Sequence, residues 1–132
     1  MKVVKTSFFL FCFTFLSCQS ILGCLLKIEA KIVDRNLNNG IIAQLYEDYV
    51  EVTIVNASDE YYYIKEFIIE GNLPPGITAT PEGTKLYLDG RPTLAGTYGF
   101  NVTLILTDYN DENSSDRICG NTVSKSFQIT IY

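Results

Sequence analysis

Beyond its first two dozen residues the chain alternates apolar and polar positions with period two, and no stretch places apolar residues at the three-to-four spacing of a helix face. Leu26 to Val33 sets Leu26, Ile28, Ala30 and Ile32 against Lys27, Glu29 and Lys31. Tyr46 to Val55 sets Val50, Val52 and Ile54 against Glu51 and Thr53, and Tyr98 to Leu106 sets Phe100, Val102 and Leu104 against Asn101 and Thr103. Ser126 to Tyr132 closes the chain with Phe127, Ile129 and Ile131 on one face. Tyr61 to Ile69, rich in aromatic and β-branched residues, and the short Thr84 to Leu88 bring the strands to six or seven. Turn chemistry separates them at Asn38-Asn39-Gly40, Asn56 to Asp59, Gly71-Asn72, Pro74-Pro75-Gly76, Asp89-Gly90, Ala95-Gly96 and Asp108 to Gly120. Short strands at this spacing, with no helix between them, predict an all-β sandwich or barrel in a single domain over residues 26–132.

The first residues have a different pattern. Lys2 and Lys5 precede an unbroken apolar run from Phe8 to Leu16, the layout of a signal peptide. The run is too short for the ~20 apolar residues that a spanning helix needs. Residues 1–17 are therefore expected to be cleaved and residues 18–25 to form a short tether. The 132-residue chain would then leave roughly 110, enough for one core that buries about 65% of the unfolded surface.

Charge narrows the partners. Loss of Lys2 and Lys5 leaves eight basic residues of the ten against fifteen acidic ones, a net charge near −7. That sign argues against nucleic acid and anionic lipid as ligands and suits a solvated extracellular surface.

Three blocks follow one another along the middle of the chain: Leu73-Pro74-Pro75-Gly76-Ile77, then Leu88-Asp89-Gly90-Arg91-Pro92, then Thr93-Leu94-Ala95-Gly96-Thr97-Tyr98-Gly99-Phe100-Asn101-Val102. Together they resemble the Ig-like, cadherin-like domains of bacterial surface proteins, in which L-P-P-G-L, a strand ending in G-T-P, and T-x-A-G-x-Y-x-F-x-V occur in this order. The resemblance covers about residues 40 to 108, with Asp89 and Arg91 standing where the family prefers Ser and Thr. It implies an immunoglobulin-like β-sandwich of about seven strands, surface location and association, and no reaction. Pro74-Pro75 makes a stiff segment without backbone donors, Gly76 permits a sharp exit, and Leu73 and Ile77 are expected to point inward at a corner where the chain changes sheets. Gly96 turns the chain into the longest strand. Tyr98 and Phe100 stand where antibody domains carry the tyrosine corner and second cysteine, so the Tyr98 hydroxyl is expected to bond backbone.

The sequence contains no histidine, and among its four cysteines only Cys119 lies well inside the domain. Ser-His and Cys-His catalysis and Cys/His zinc sites therefore lack their residues, and no phosphate-binding glycine motif is present. The expected protein is not an enzyme and has no cofactor. A glycosidase would need only a carboxylate pair, but fifteen acids in a small sandwich read as surface charge. Asp108-Tyr109-Asn110-Asp111 with Asp116 is a Ca²⁺ candidate similar to the D-x-N-D stretch of cadherin-like domains, but here a final strand rather than a second domain follows, and a solvated acidic loop is the favoured reading. Tyr61-Tyr62-Tyr63 offers a small aromatic patch for carbohydrate or protein, and strand propensity accounts for it as well. Asn56, Asn101 and Asn113 begin N-glycosylation acceptor triplets, relevant only in a eukaryotic host.

Two cysteines compete for a lipid. Ile21-Leu22-Gly23-Cys24 resembles a lipobox, whereas Phe15-Leu16-Ser17-Cys18 follows the apolar run directly. Lipid on Cys18 leaves Cys24 and Cys119 as a pair for a disulfide; lipid on Cys24 leaves Cys119 an odd thiol. Cys18 is the expected site and Cys24 the alternative, with the first strand expected parallel to the last so that Cys24 and Cys119 share one end. Neither Gln19 nor Leu25 is the aspartate by which bacterial lipoproteins are retained at the inner membrane, and the resemblance thus points to the outer membrane. The sequence predicts a cell-envelope lipoprotein whose domain is a protein-binding or structural module for an envelope or extracellular protein. The alternative is a carbohydrate- or calcium-dependent adhesion domain, in a secreted or periplasmic setting if no lipid is added.

Overall fold

A computed structural model describes residues 28–109 and 119–132. It contains seven strands: β1 (Glu29–Ile32), β2 (Tyr46–Val55), β3 (Tyr62–Gly71), β4 (Ile77–Glu82), β5 (Lys85–Gly90), β6 (Gly96–Asp108) and β7 (Thr122–Ile131), with one 3-10 turn at Asp59–Tyr61. They form a four-stranded sheet in the order β1-β2-β5-β4 and a three-stranded sheet in the order β3-β6-β7, with every strand pair antiparallel. In chain order this is the A-B-E-D and C-F-G arrangement of a seven-stranded immunoglobulin-like sandwich.

Alternation decides which side chains fill it. Val50, Val52 and Ile54 of β2, Leu86 and Leu88 of β5, Phe100, Val102, Leu104 and Leu106 of β6, and Phe127, Ile129 and Ile131 of β7 form one buried cluster between the sheets. Full burial of each contributes roughly 1.5–3 kcal/mol. Ala30 is buried with them, and Ile28 and Ile32 pack against their rim.

Three expectations change in detail. A strand not anticipated from the pattern, β4, lies at the edge of its sheet and buries only Ile77. β3 loses its parity, because the register shifts between Ile64 and Glu66: Tyr62 and Ile64 point inward before the irregularity, and Phe67 and Ile69 pack against the core after it. The first strand runs in the same direction as the last, both starting where the Cys119 amide meets the Ile28 carbonyl, but the two lie in different sheets and do not pair. β1 pairs antiparallel with β2, the chain leaves β2 where the Val33 amide donates to the Glu51 carbonyl (2.8 Å), and it crosses to the other sheet. There Gly40 forms the parallel bridge to Ile131, donating to Thr130 (2.9 Å) and accepting from Tyr132 (3.0 Å).

The sandwich therefore has two distinct ends. At the proximal pole lie Ile28, the β2–β3 connection, Tyr109 and Cys119, whose amide donates to the Ile28 carbonyl (2.8 Å). At the distal pole lie residues 40–45, 72–76 and 91–95 together with Tyr132. Among the described residues no helix is long and apolar enough to cross a membrane. The leader, the tether, Cys18 and Cys24 lie outside the described residues.

Candidate functional site

The three sequence blocks meet at the distal pole. Leu73 to Gly76 carry the chain from β3 in one sheet to β4 in the other, with Ile77 buried and Leu73 packed against the core. Pro74 and Pro92 are fully buried, the Ile77 amide donates to the Pro74 carbonyl (3.0 Å), and the Thr93 amide donates to Pro75 (2.9 Å). Gly76 and Gly90 touch backbone to backbone: a Cβ on Gly90 would stand 2.0 Å from the Gly76 oxygen, and one on Gly76 would stand 2.1 Å from the Arg91 oxygen. Both have positive φ, 93° and 147°, so the motif's glycines serve conformation and clearance together. Gly96 precedes Tyr98, whose ring passes over it and whose hydroxyl donates to the Leu94 carbonyl (3.1 Å). Phe100 is buried against Phe127, with ring centroids 6.2 Å apart.

The proximal pole holds the other sequence candidates. Tyr62 is buried, Tyr63 lies against the Tyr109 ring (4.7 Å between centroids), and Tyr61 remains exposed. The tyrosine triplet is thus divided between core, ring pair and surface, and forms no continuous platform. Asp108 is not a loop residue: it ends β6, opposite Tyr62, and is buried. Asn110, Asp111 and Asp116 lie outside the described residues, and among the described residues no group of three or more metal-ligating side chains comes together.

A polar cluster that the hydrophobic reading passed over sits where the chain crosses between sheets. Asp48 faces inward between Tyr46 and Val50, and its carboxylate accepts from the Arg35 guanidinium, the Asn38 amide (2.8 Å) and the Tyr49 amide (2.8 Å). Arg35 also donates to the Tyr49 carbonyl (2.7 Å) and lies over the Tyr49 ring, 4.4 Å from its centroid. Tyr46 donates to the Asn38 carbonyl (3.0 Å), and burial pushes its phenol up to about 12. Parity alone could have found Asp48, since it falls on the same face as Val50, Val52 and Ile54. These partners mark it as a clamp on the crossover rather than a reacting group.

The clamp residues Arg35, Asn38 and Asp48 form one wall of a cleft of about 680 Å³ that Glu47, Thr80, Tyr87 and Asp89 also line. Tyr49 and Tyr87 are direct cross-strand partners with rings 5.8 Å apart, and Lys85 lies 4.5 Å over the Tyr49 ring while pairing with Glu51 (3.5 Å). On the other sheet, Lys125 donates to Asp34 (2.6 Å), and that hydrogen bond, followed by the ammonium charge, holds the exposed Asp34 carboxyl below its ordinary value.

No protein-family model and no curated protein sequence matches the chain. Among solved structures it is similar to the M3 domain of titin (18% identity over 77% of this chain and 95% of that domain, TM-score 0.45) and the M7 domain of titin (14%, 80% and 96%, TM-score 0.45). It is also similar to part of an endo-fucoidan hydrolase of glycoside hydrolase family 107, at 16% identity over 74% of this chain and TM-score 0.43. The chain spans only 12% of that hydrolase's length.

Proposed function

We propose that this chain is a cell-envelope lipoprotein whose immunoglobulin-like domain acts, without catalysis, as a protein-binding or structural module of the type its motifs resemble in bacterial surface proteins. The observation that carries the reading is the opposition of the two poles. Ile28, just before β1, accepts from the Cys119 amide at one pole, whereas five exposed apolar side chains gather at the other. A lipid on Cys18, attached before Ile28, would hold the proximal pole to an outer membrane and present the distal pole outward. A Cys24–Cys119 disulfide would tie that tether to the start of β7; its support is the 2.8 Å bond from the Cys119 amide to Ile28, four residues after Cys24, and a Cys119 sulfur that is already engaged.

In-envelope photo-crosslinking tests the module. A photoreactive residue replacing Leu94 at the distal pole is expected to give a discrete protein adduct, and the same residue replacing Lys31, on the solvent face of β1, is expected to give none. Equal or absent labelling at the two positions removes the reading.

A further inference from the structure

Ile41, Ile42, Leu45, Leu94 and Tyr132 all lie at the distal pole and are exposed by 50%, 41%, 59%, 60% and 69%. The other large apolar or aromatic residues this exposed among the described ones are Tyr61 and Tyr109, at the opposite end, and Ile68, on β3. Local bonding gathers the five: the Ile42 amide donates to Tyr132 (3.0 Å), the Ala43 amide to Pro92 (2.9 Å), and the Gln44 amide to Ile41 (3.2 Å). Ala43 is held at a φ of 62°, with its carbonyl taken by the Arg91 guanidinium (2.9 Å), so a backbone conformation unfavourable for a non-glycine residue is fixed from both sides. The surface is presented by a braced loop, which lowers the ordering cost of docking.

We infer that the distal pole is a self-association surface, and that its occupant is the distal pole of a second copy of this chain. The inference rests on the proposed module function and names its partner. Area supports it: the five side chains expose on the order of 500 Å², at the upper end of what a monomer leaves uncovered. Two such poles meeting about a two-fold axis would remove about 1,000 Å² of apolar surface, and a polar rim brings that into the ~1,200–2,000 Å² range of a stable interface. Charge supports it as well. Glu47 and Asp89, one residue pair inward from the pole, are direct cross-strand partners of like sign, a destabilising arrangement, and Arg91, just past the end of β5, donates to the Ala43 carbonyl at the pole. An isologous contact makes every rim group available to its counterpart, so the cation of one copy can face the carboxylate pair of the other.

Sedimentation velocity on the purified mature protein, in detergent and corrected for bound detergent, tests this, with L45E/L94E, which places carboxylates at the pole, and T53E, on the solvent face of β2, as variants. Wild type and T53E are expected to sediment as dimers at about 100 μM, and L45E/L94E as a monomer with an unchanged circular dichroism spectrum and urea midpoint, a twofold loss of mass. A wild-type monomer at that concentration overturns the inference, as does a dimer that survives L45E/L94E; vesicle binding by a monomeric wild type would assign the pole to lipid and overturn it equally. If a monomeric wild type still gives a Leu94 photo-adduct to a different protein, self-pairing alone fails and the module reading stands.

Discussion

Arg35 and Asp48 join the crossover between the two sheets to the inward face of β2: the guanidinium reaches the carboxylate while a third of the Arg35 side chain stays in solvent and the Asp48 side chain is only 2% exposed. Asp48 also satisfies the Asn38 and Tyr49 amides, so its removal orphans two backbone donors as well as a cation. Asp48→Ala is expected to lower the free energy of unfolding by about 3 kcal/mol and Arg35→Ala by less, with the double variant clearly less than additive. Urea titration of the four proteins measures this, and additive losses would show that the two residues act separately.

Gly90 and Gly83 both have positive φ, 147° and 57°, yet they differ in surroundings. Gly90 has the Gly76 oxygen where a Cβ would go, whereas nothing lies within 4 Å of that position at Gly83. Gly90→Ala is expected to cost at least 3 kcal/mol or prevent folding, because the obstacle is main chain. Gly83→Asn, in the left-handed region that asparagine tolerates, is expected to change stability by less than about 1 kcal/mol. Thermal melts of the two variants check the contrast.

Tyr98→Phe removes the hydroxyl that donates to the Leu94 carbonyl and leaves the ring over Gly96. The expected loss is about 1 kcal/mol, with no change in fold. Urea unfolding measures the loss, and a stability equal to wild type would assign the corner to ring packing alone.

Tyr46 gives the fold an alkaline limit. Its phenol has a pKa raised to about 12 by burial, from an ordinary value of 10, so the folded state holds the proton more tightly than the unfolded chain. The resulting stability is fully present below pH 10 and is lost as pH rises towards 12. Wild type is therefore expected to lose stability across that window more steeply than Tyr46→Phe, and parallel pH profiles would remove Tyr46 as the cause.

The sheet assignment was legible where several successive inward positions are apolar, as at Val50, Val52 and Ile54 of β2, Phe100 to Leu106 of β6, and Phe127, Ile129 and Ile131 of β7. It failed where burial is slight. β4 buries only Ile77 and leaves Ala79 half-buried against the core, so its apolar alternation is two residues long. The segment that pairs with β7 makes one bridge at Gly40, too short to leave a pattern. β3 changes parity at an irregularity that no local residue announces. The motif blocks were visible as sequence, but their meeting at one pole depends on the contact between Gly76 and Gly90. The apolar pole was hidden for a simple reason: Ile41, Ile42, Leu45 and Leu94 sit in connections between strands, where spacing carries no information about exposure.

The proposed function requires a lipid anchor at the proximal end, and intact and peptide mass spectrometry of the non-reduced mature protein tests that most directly. The expected result is a chain that begins with an acylated Cys18 and contains a Cys24–Cys119 disulfide. An acylated peptide beginning at Cys24 would move the anchor and defeat the disulfide. A mature chain with no acyl group on either cysteine would contradict the lipid-anchored module itself.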